Sequence, residues 1–289
     1  MRLAVSMDSQ SLGQMKILSN SDMSVIPFLK WPGGKRWFVA NYSHLLPQKF
    51  VRYIEPFLGA GSVFFYLKPA KAILSDLNGE LIATYQAIRD GADKVNERLI
   101  FHQLRHGHDY YYAVRESRPR LSSNKASRLI YLNRTCFNGV YRVNLNGDFN
   151  VPKGSKSEVV LDSDNFDFVA CMLKNAIIQT SDFEPIIDGA RRGDLVFADP
   201  PYTVRHNVNG FVKYNEQLFS WEDQIRLADV LARARARGVK IVLTNANHFS
   251  IRRLYSARGF SLMTVSRHSC ISASVNSRKQ FEELVIRSF

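Results

Sequence analysis

Apolar positions along the chain fall into short runs broken by glycine, proline and acidic residues, and their spacing alternates between buried strands and amphipathic helices. Val51 to Glu55 predicts a strand that runs into Pro56-Phe57-Leu58-Gly59-Ala60-Gly61, after which Ser62 to Leu67 has helical character. Ala72 to Asp76 predicts a second strand, and Asn78 to Ile88 sets Leu81, Ile82, Tyr85 and Ile88 on one helical face. Asp194 to Ala198 is nearly continuously apolar, as a strand covered on both faces of a parallel sheet must be. Ser220 with Asp223 three residues on predicts a capping box, opening a helix with Ile225, Ala228 and Leu231 in phase and Gly238 at its end. Val239 to Thr244 is the next strand. Phe260 to Val265 and Phe281 to Ile286 lack a helix-length connection, so an antiparallel hairpin at the sheet edge is expected. The alternation implies a doubly wound, mostly parallel α/β domain.

One stretch interrupts it. Roughly Gly91 to Ser163 reads as an insertion that begins with helices and ends in a hairpin around Asn138-Gly139 and Asn146-Gly147. The expected units are 1–26 as a flexible extension, 27–90 and 164–289 as the two parts of one catalytic domain, and 91–163 as a target-recognition insertion. Charge sharpens this division. The 289 residues carry 39 Lys and Arg against 26 Asp and Glu, a net +13 that favours a polyanionic partner. Arg89 to Lys156 holds 13 basic and six acidic residues, so it alone supplies +7, with Phe101, Tyr110, Tyr111, Tyr112, Tyr131, Phe137, Tyr141 and Phe149 interleaved. Cations beside rings that stack on bases suit a nucleic-acid surface; the plain alternative is a solvated face. A second basic stretch, Arg267 to Lys279, reads as a polar loop.

Composition excludes several classes. With 45% hydrophobic, 22% charged and 12% aromatic residues, the chain is neither collagenous nor wholly disordered, and no apolar run reaches the roughly 18 residues of a membrane span. Asp8, Ser9 and Gln10 break any apolar block near the start, so a secretory signal is not expected. Cys136, Cys171 and Cys270 lie far apart, which fits a reducing cytoplasm and neither disulfides nor zinc. His102, His106 and His108 lack acidic or thiol companions at ligand spacing, so no metal is expected.

Asp199-Pro200-Pro201-Tyr202 follows the buried strand directly and so sits at a carboxyl end, where open parallel sheets bind ligands. Two prolines remove two N–H donors, leaving a carboxylate and a carbonyl that only accept hydrogen bonds. Such a pair suits an exocyclic aromatic amine, and Tyr202 offers a face on which a flipped base can stack. The alternative is a turn stiffened by prolines. Glu55 to Gly61 brings glycines to the first strand's end, and Asp76 lies 21 residues after Glu55, the spacing at which an acid reaches a ribose hydroxyl. The third glycine of the dinucleotide fingerprint is absent, which favours a nucleoside cofactor without pyrophosphate, such as S-adenosylmethionine, over NAD. Phe28-Leu29-Lys30-Trp31-Pro32-Gly33-Gly34-Lys35 is glycine-rich but lacks Walker spacing.

Taken together, these strings resemble the Dam-type DNA adenine-N6 methyltransferases. The resemblance rests on Phe28 to Lys35, Ile54 to Ser62, Asp76 with Asn78, Asn133 to Asn144, Asn150 to Pro152, Ser181 to Phe183 and Asp199 to Tyr202, in family order over nearly all of Phe28 to Leu284. It implies a Rossmann-like methyltransferase sheet. It implies that Trp31, Lys35, Glu55, Gly59, Gly61, Asp76 and Asp199 bind S-adenosylmethionine, with Asp182 and Phe183 near its adenine. Asp199, Pro200, Pro201 and Tyr202 would hold a flipped adenine of double-stranded DNA. Asn133, Arg134, Phe137, Asn138, Val140, Arg142 and Pro152 would meet the duplex, with Phe137 as a wedge, Lys30 on the first guanine and GATC as the target. Thr203 to Phe211 departs from familiar members and is expected to form a loop over the base. A monomer needing neither metal nor membrane is implied, in a bacterial cytoplasm or encoded by a phage. N4-cytosine methylation, a DNA-binding module with a vestigial site, and a nicotinamide-dependent oxidoreductase are the rival readings.

Overall fold

A computed structural model of the protein describes residues 25–144, 147–203, 219–268 and 280–289. A seven-stranded sheet forms its centre. Five strands are parallel: β1 (Tyr53–Glu55), β2 (Ala72–Asp76), β3 (Ala176–Thr180), β4 (Leu195–Ala198) and β5 (Lys240–Ala246). β6 (Ser261–His268) and β7 (Gln280–Arg287) add the antiparallel edge, giving the order β3-β2-β1-β4-β5-β7-β6. Chain order reverses between β1 and β4, so the gap above their carboxyl ends is the place where such sheets bind ligands. All four residues of β4 and all three of β1 are buried, which is why β4 reads as an unbroken apolar run, while β1 carries the buried Glu55 at its end.

Helices cover both faces. α1 (Arg36–Tyr42) and α2 (Ser62–Leu67) precede α3 (Gly79–Arg105), whose first turn is capped by Asn78 Oδ1 accepting from Leu81 N at 3.0 Å. α3 buries Leu81, Ile82, Tyr85, Ile88, Ala92, Val95 and Leu99 and packs against α5 (Ser122–Thr135) and α6 (Phe166–Leu173). α4 (His108–Glu116) lies between α3 and α5 in the chain. α3 extends well past the expected start of the insertion, and only Gly91 within it leaves helical geometry. α7 (Phe183–Asp188), α8 (Trp221–Ala236) and α9 (Phe249–Ser256) follow among the described residues. The capping box of Ser220 and Asp223 opens α8, and Gly238 follows that helix at a positive φ of 82°.

The hairpin expected around Asn138-Gly139 and Asn146-Gly147 is irregular. Asn138 at φ 57° and Gly139 at φ 65° are both left-handed, Val140 N donates to Phe137 O at 3.4 Å, and two isolated antiparallel bridges, Cys136 to Lys153 and Val143 to Phe149, join the arms. The two arms touch closely: a Cβ on Gly154 would lie 2.6 Å from the Cys136 carbonyl oxygen, so only glycine fits. Cys136 and Cys171 are free thiols. Among the described residues no helix is long and apolar enough to cross a membrane. The extension to residue 24, the second turn at Asn146, the loop 204–211, Cys270 and most of the basic stretch after Arg267 lie outside the described residues.

Candidate active site

The glycine turn after β1 is tied to the end of β2. Leu58 N donates to Ser75 O at 2.9 Å and Gly59 N to Asp76 Oδ2 at 3.1 Å, while Asn78 N donates to Asp76 Oδ1 at 3.0 Å. Both oxygens of Asp76 are thus oriented by backbone, and burial raises its pKa. Tyr85 OH donates to Gly59 O at 3.0 Å from below. Trp31 lies against the turn, since a Cβ on Gly59 would fall 2.9 Å from its ring, and Gly59 and Gly61 both have positive φ. Glu55 is buried beneath this turn with Oε2 unpartnered. Burial pushes its carboxyl well above the usual range, and the charges of Asp199 and Asp76 push the same way.

Ser181 N donates to Asp76 O at 3.3 Å, which sets Asp182 and Phe183 beside the same glycine turn. Asp182 caps α7 and takes a two-point ion pair from Arg226 of α8 at 2.7 and 2.9 Å, which holds its pKa below the ordinary value. The same guanidinium stands 4.2 Å over the Phe183 ring, and Phe183 stacks on Phe57 at 5.5 Å. Arg226 therefore fixes both Asp182 and Phe183.

At the end of β4, Asp199 is engaged through one oxygen. Lys35 Nζ contacts Oδ1 at 2.8 Å and Thr244 Oγ1 donates to the same atom at 2.7 Å, while Oδ2 faces Gly33. Burial raises the Asp199 pKa; Lys35 and Thr244 oppose that rise. Lys35 also donates to Gly33 O at 2.8 Å, and its ammonium stands 5.3 Å from the Tyr202 ring centre. Tyr202 OH donates to Glu283 Oε2 at 2.7 Å, and Glu283 is 4% exposed with Lys35 3.9 Å away. Pro200 is buried and Pro201 half-buried. Sequence reasoning missed Thr244, Glu283 and Arg226. The signals available were polar residues inside predicted buried elements: Thr244 at the end of an apolar strand, and Glu283 in phase with Val285.

The residues expected to meet DNA divide into two sets. Phe137, Asn138, Arg142 and Pro152 are exposed and Val140 partly so, on one irregular hairpin where Phe137 N donates to Pro152 O at 2.9 Å and Arg142 Nε to Asn150 Oδ1 at 3.0 Å. Asn133 and Arg134 are buried instead. Asn133 exchanges hydrogen bonds with the Lys30 backbone at 2.9 and 2.7 Å. Arg134 forms a two-point ion pair with Asp164 at 2.6 Å and donates to Val159 O and Phe28 O. These contacts are internal and join the hairpin's base to the Phe28–Lys30 segment. Lys30 is exposed, and Lys156 beside it, with partial burial and Arg36, lowers its pKa to about 8, a crowding that an anionic or acceptor group would relieve. Tyr141 stacks on Trp31 at 5.2 Å and donates to Glu80, joining the hairpin to the glycine-turn wall.

The three histidines turn to separate partners: His102 to Tyr110 OH, His106 to Tyr131 OH and His108 to Asp109. Among the described residues no group of three or more His, Cys, Asp or Glu is arranged to hold a metal ion.

A mostly parallel sheet with an antiparallel edge, carrying a glycine turn and Asp-Pro-Pro-Tyr on its two central strands, defines a Rossmann-like methyltransferase. Residues 31–271 match the model of the D12 class N6 adenine-specific DNA methyltransferases, and the chain belongs to that family. It is 33% identical to the type II methyltransferase M1.LlaDCHI of Lactococcus lactis subsp. cremoris over 95% of this chain and 99% of that one. It is also 33% identical to the type II methyltransferase M.MjaIII of Methanocaldococcus jannaschii, over 92% of this chain and all of that one. Similarity to the DNA adenine methylase of Escherichia coli is 29% over 89% of this chain and 93% of that one. The family sets the reaction at N6 of adenine, which removes the cytosine and oxidoreductase readings.

Proposed function

We propose that the protein transfers a methyl group from S-adenosylmethionine to N6 of an adenine flipped out of double-stranded DNA, within GATC. The observation that carries this is the half-engaged carboxylate of Asp199: Lys35 and Thr244 lock Oδ1, so Oδ2 is aimed and remains an acceptor for an N6 hydrogen. The Pro200 carbonyl is the second acceptor. Gripping the amine in this way favours a pyramidal nitrogen whose lone pair is localised and in line with the methyl carbon. Tyr202 presents its ring to the base.

The pocket's chemistry fits the methyl donor. Trp31 and Phe183 supply apolar walls, Asp76 an oriented acceptor, and Glu55 a buried carboxyl oxygen without a partner, a set suited to a cationic nucleoside bearing an amino acid. Trp31, Lys35, Glu55, Gly59, Gly61, Asp76, Phe183 and Asp199 would hold it, with Asp182 positioned by Arg226. When bound, S-adenosylmethionine supplies an electrophilic methyl group on a cationic sulfur. Residues 91–163 read the DNA: Phe137 wedges into the stack, Asn138, Val140, Arg142 and Pro152 meet base edges, and Lys30 meets the first guanine. Asn133 and Arg134 serve as supports for that surface. The protein works as a monomer in the cytoplasm, on bacterial or phage DNA.

The test pairs chemistry with binding. Purified protein, labelled methyl donor and a duplex with one GATC should yield N6-methyladenine and resistance to a nuclease blocked by that mark. Asp199→Ala should abolish labelling while DNA binding persists; retained labelling removes Asp199 from the mechanism.

A further inference from the structure

We propose that Glu283, from the antiparallel edge of the sheet, is a positioning residue for methyl transfer: its carboxylate fixes the Tyr202 hydroxyl and draws in the Lys35 ammonium, so that base stacking and the Asp199 grip are set together. This rests on the function proposed above.

The register explains how an edge strand reaches the reacting end. β5 and β7 pair with Ala246 opposite Glu283, just beyond Thr244, while β4 and β5 pair with Ala198 opposite Leu243. Thr244 and Glu283 therefore flank the end of β4, where Asp199 and Tyr202 emerge. A buried carboxylate is costly unless partnered. Tyr202 OH at 2.7 Å and Lys35 Nζ at 3.9 Å are partners of Glu283, both drawn from the site itself. Lys35 thereby sits between two carboxylates, 2.8 Å from Asp199 and 3.9 Å from Glu283, and faces the Tyr202 ring. A tyrosine anchored by its hydroxyl loses ring freedom before the base arrives, which is preorganisation. Among the described residues the ionisable groups around Asp199 are Lys35, Glu283 and Glu55, and Glu283 raises the Asp199 pKa.

The experiment is a double-mutant cycle of Glu283→Gln and Tyr202→Phe, read as kcat and KM on a single-GATC duplex, with thermal unfolding of each variant. Tyr202→Phe keeps the ring and removes only the anchoring hydroxyl. Each single change should lower kcat by roughly 10- to 150-fold, the range for a hydrogen bond to a charged group, with KM for DNA moved less. The double variant should be no worse than the poorer single. Glu283→Gln should also move the acid limb of kcat/KM to lower pH, because a negative charge beside Asp199 is gone. Glu282→Gln, one residue away and exposed with Asn247 as its partner, should leave kcat unchanged. Losses that multiply in the double variant, or an unmoved acid limb, overturn the positioning role. An inactive wild-type protein would instead overturn the function itself, so the two failures are distinguishable.

Discussion

Thr244 isolates one contact to the acceptor carboxylate. It is fully buried in β5, its hydroxyl donates to Asp199 Oδ1 at 2.7 Å, and Thr244→Val removes that donor while keeping the side chain's shape. A hydrogen bond to a charged acceptor is worth about 1.5–3 kcal/mol, which at about 1.4 kcal/mol per decade is roughly a 10- to 150-fold effect. Two consequences follow from its loss. Asp199 becomes harder to ionise, because burial already raises its pKa and Thr244 is one of the groups opposing that rise. Since the grip on the amine needs the carboxylate form, activity falls as pH drops through this pKa, and raising the pKa moves the acid limb to higher pH. Oδ1 also keeps only Lys35, so a reduced plateau should persist at high pH. The assay is kcat/KM for labelled methyl transfer to a single-GATC duplex, at several pH values from about 5 to 9, with Tm as the folding control. An acid limb and plateau that both match wild type would refute the assignment of Oδ1 as a locked oxygen.

Asp164→Ala strands the buried Arg134 guanidinium and should cost about 3–5 kcal/mol in denaturant unfolding, while the salt dependence of DNA binding stays as in wild type; a changed salt slope would return Arg134 to the duplex. Glu55→Gln should stabilise the fold increasingly as pH rises above the ordinary value near 4.5, because a raised pKa means the folded state holds the proton more tightly and loses that advantage as pH climbs through it; a Tm difference independent of pH would count against a buried neutral acid. Arg142→Ala should cost about 1–3 kcal/mol of discrimination between GATC and single-mismatch duplexes, with donor affinity nearly unchanged; intact discrimination would move base reading elsewhere.

The parallel strands were legible because burial on both faces leaves a continuous apolar run, as in β4, and the capped helices because Asn78 and Ser220 carry a local chemical signature. β3 was not read: at the sheet edge it alternates, exposing Ile177 at 55%, and lacks the flanking turn chemistry of a hairpin. The turn at Asn138-Gly139 was legible because that dipeptide accepts two successive left-handed residues, whereas the irregular pairing of the arms around it has no local signature. In the site, motif residues close together in sequence were visible. Thr244 and Glu283 were not, because their partners Asp199 and Tyr202 lie 45 and 81 residues away and only sheet register joins them. Asn133 and Arg134 sit inside a basic segment whose charge suggests a duplex surface, but a charge count does not reveal that Asp164 neutralises the arginine internally.

The whole span between α3 and α6 is carried on a single crossover from β2 to β3, outside the ladder that joins β1 to β4. Lengthening or exchanging that crossover changes its closure entropy only logarithmically, and the hydrogen-bonded ladder from β2 to β5 stays as it was. Under the proposed function, a different reading segment grafted at this crossover would inherit the same strand order beneath the reaction, provided that it kept the seats that Tyr141 and Asn133 take against Trp31 and Lys30.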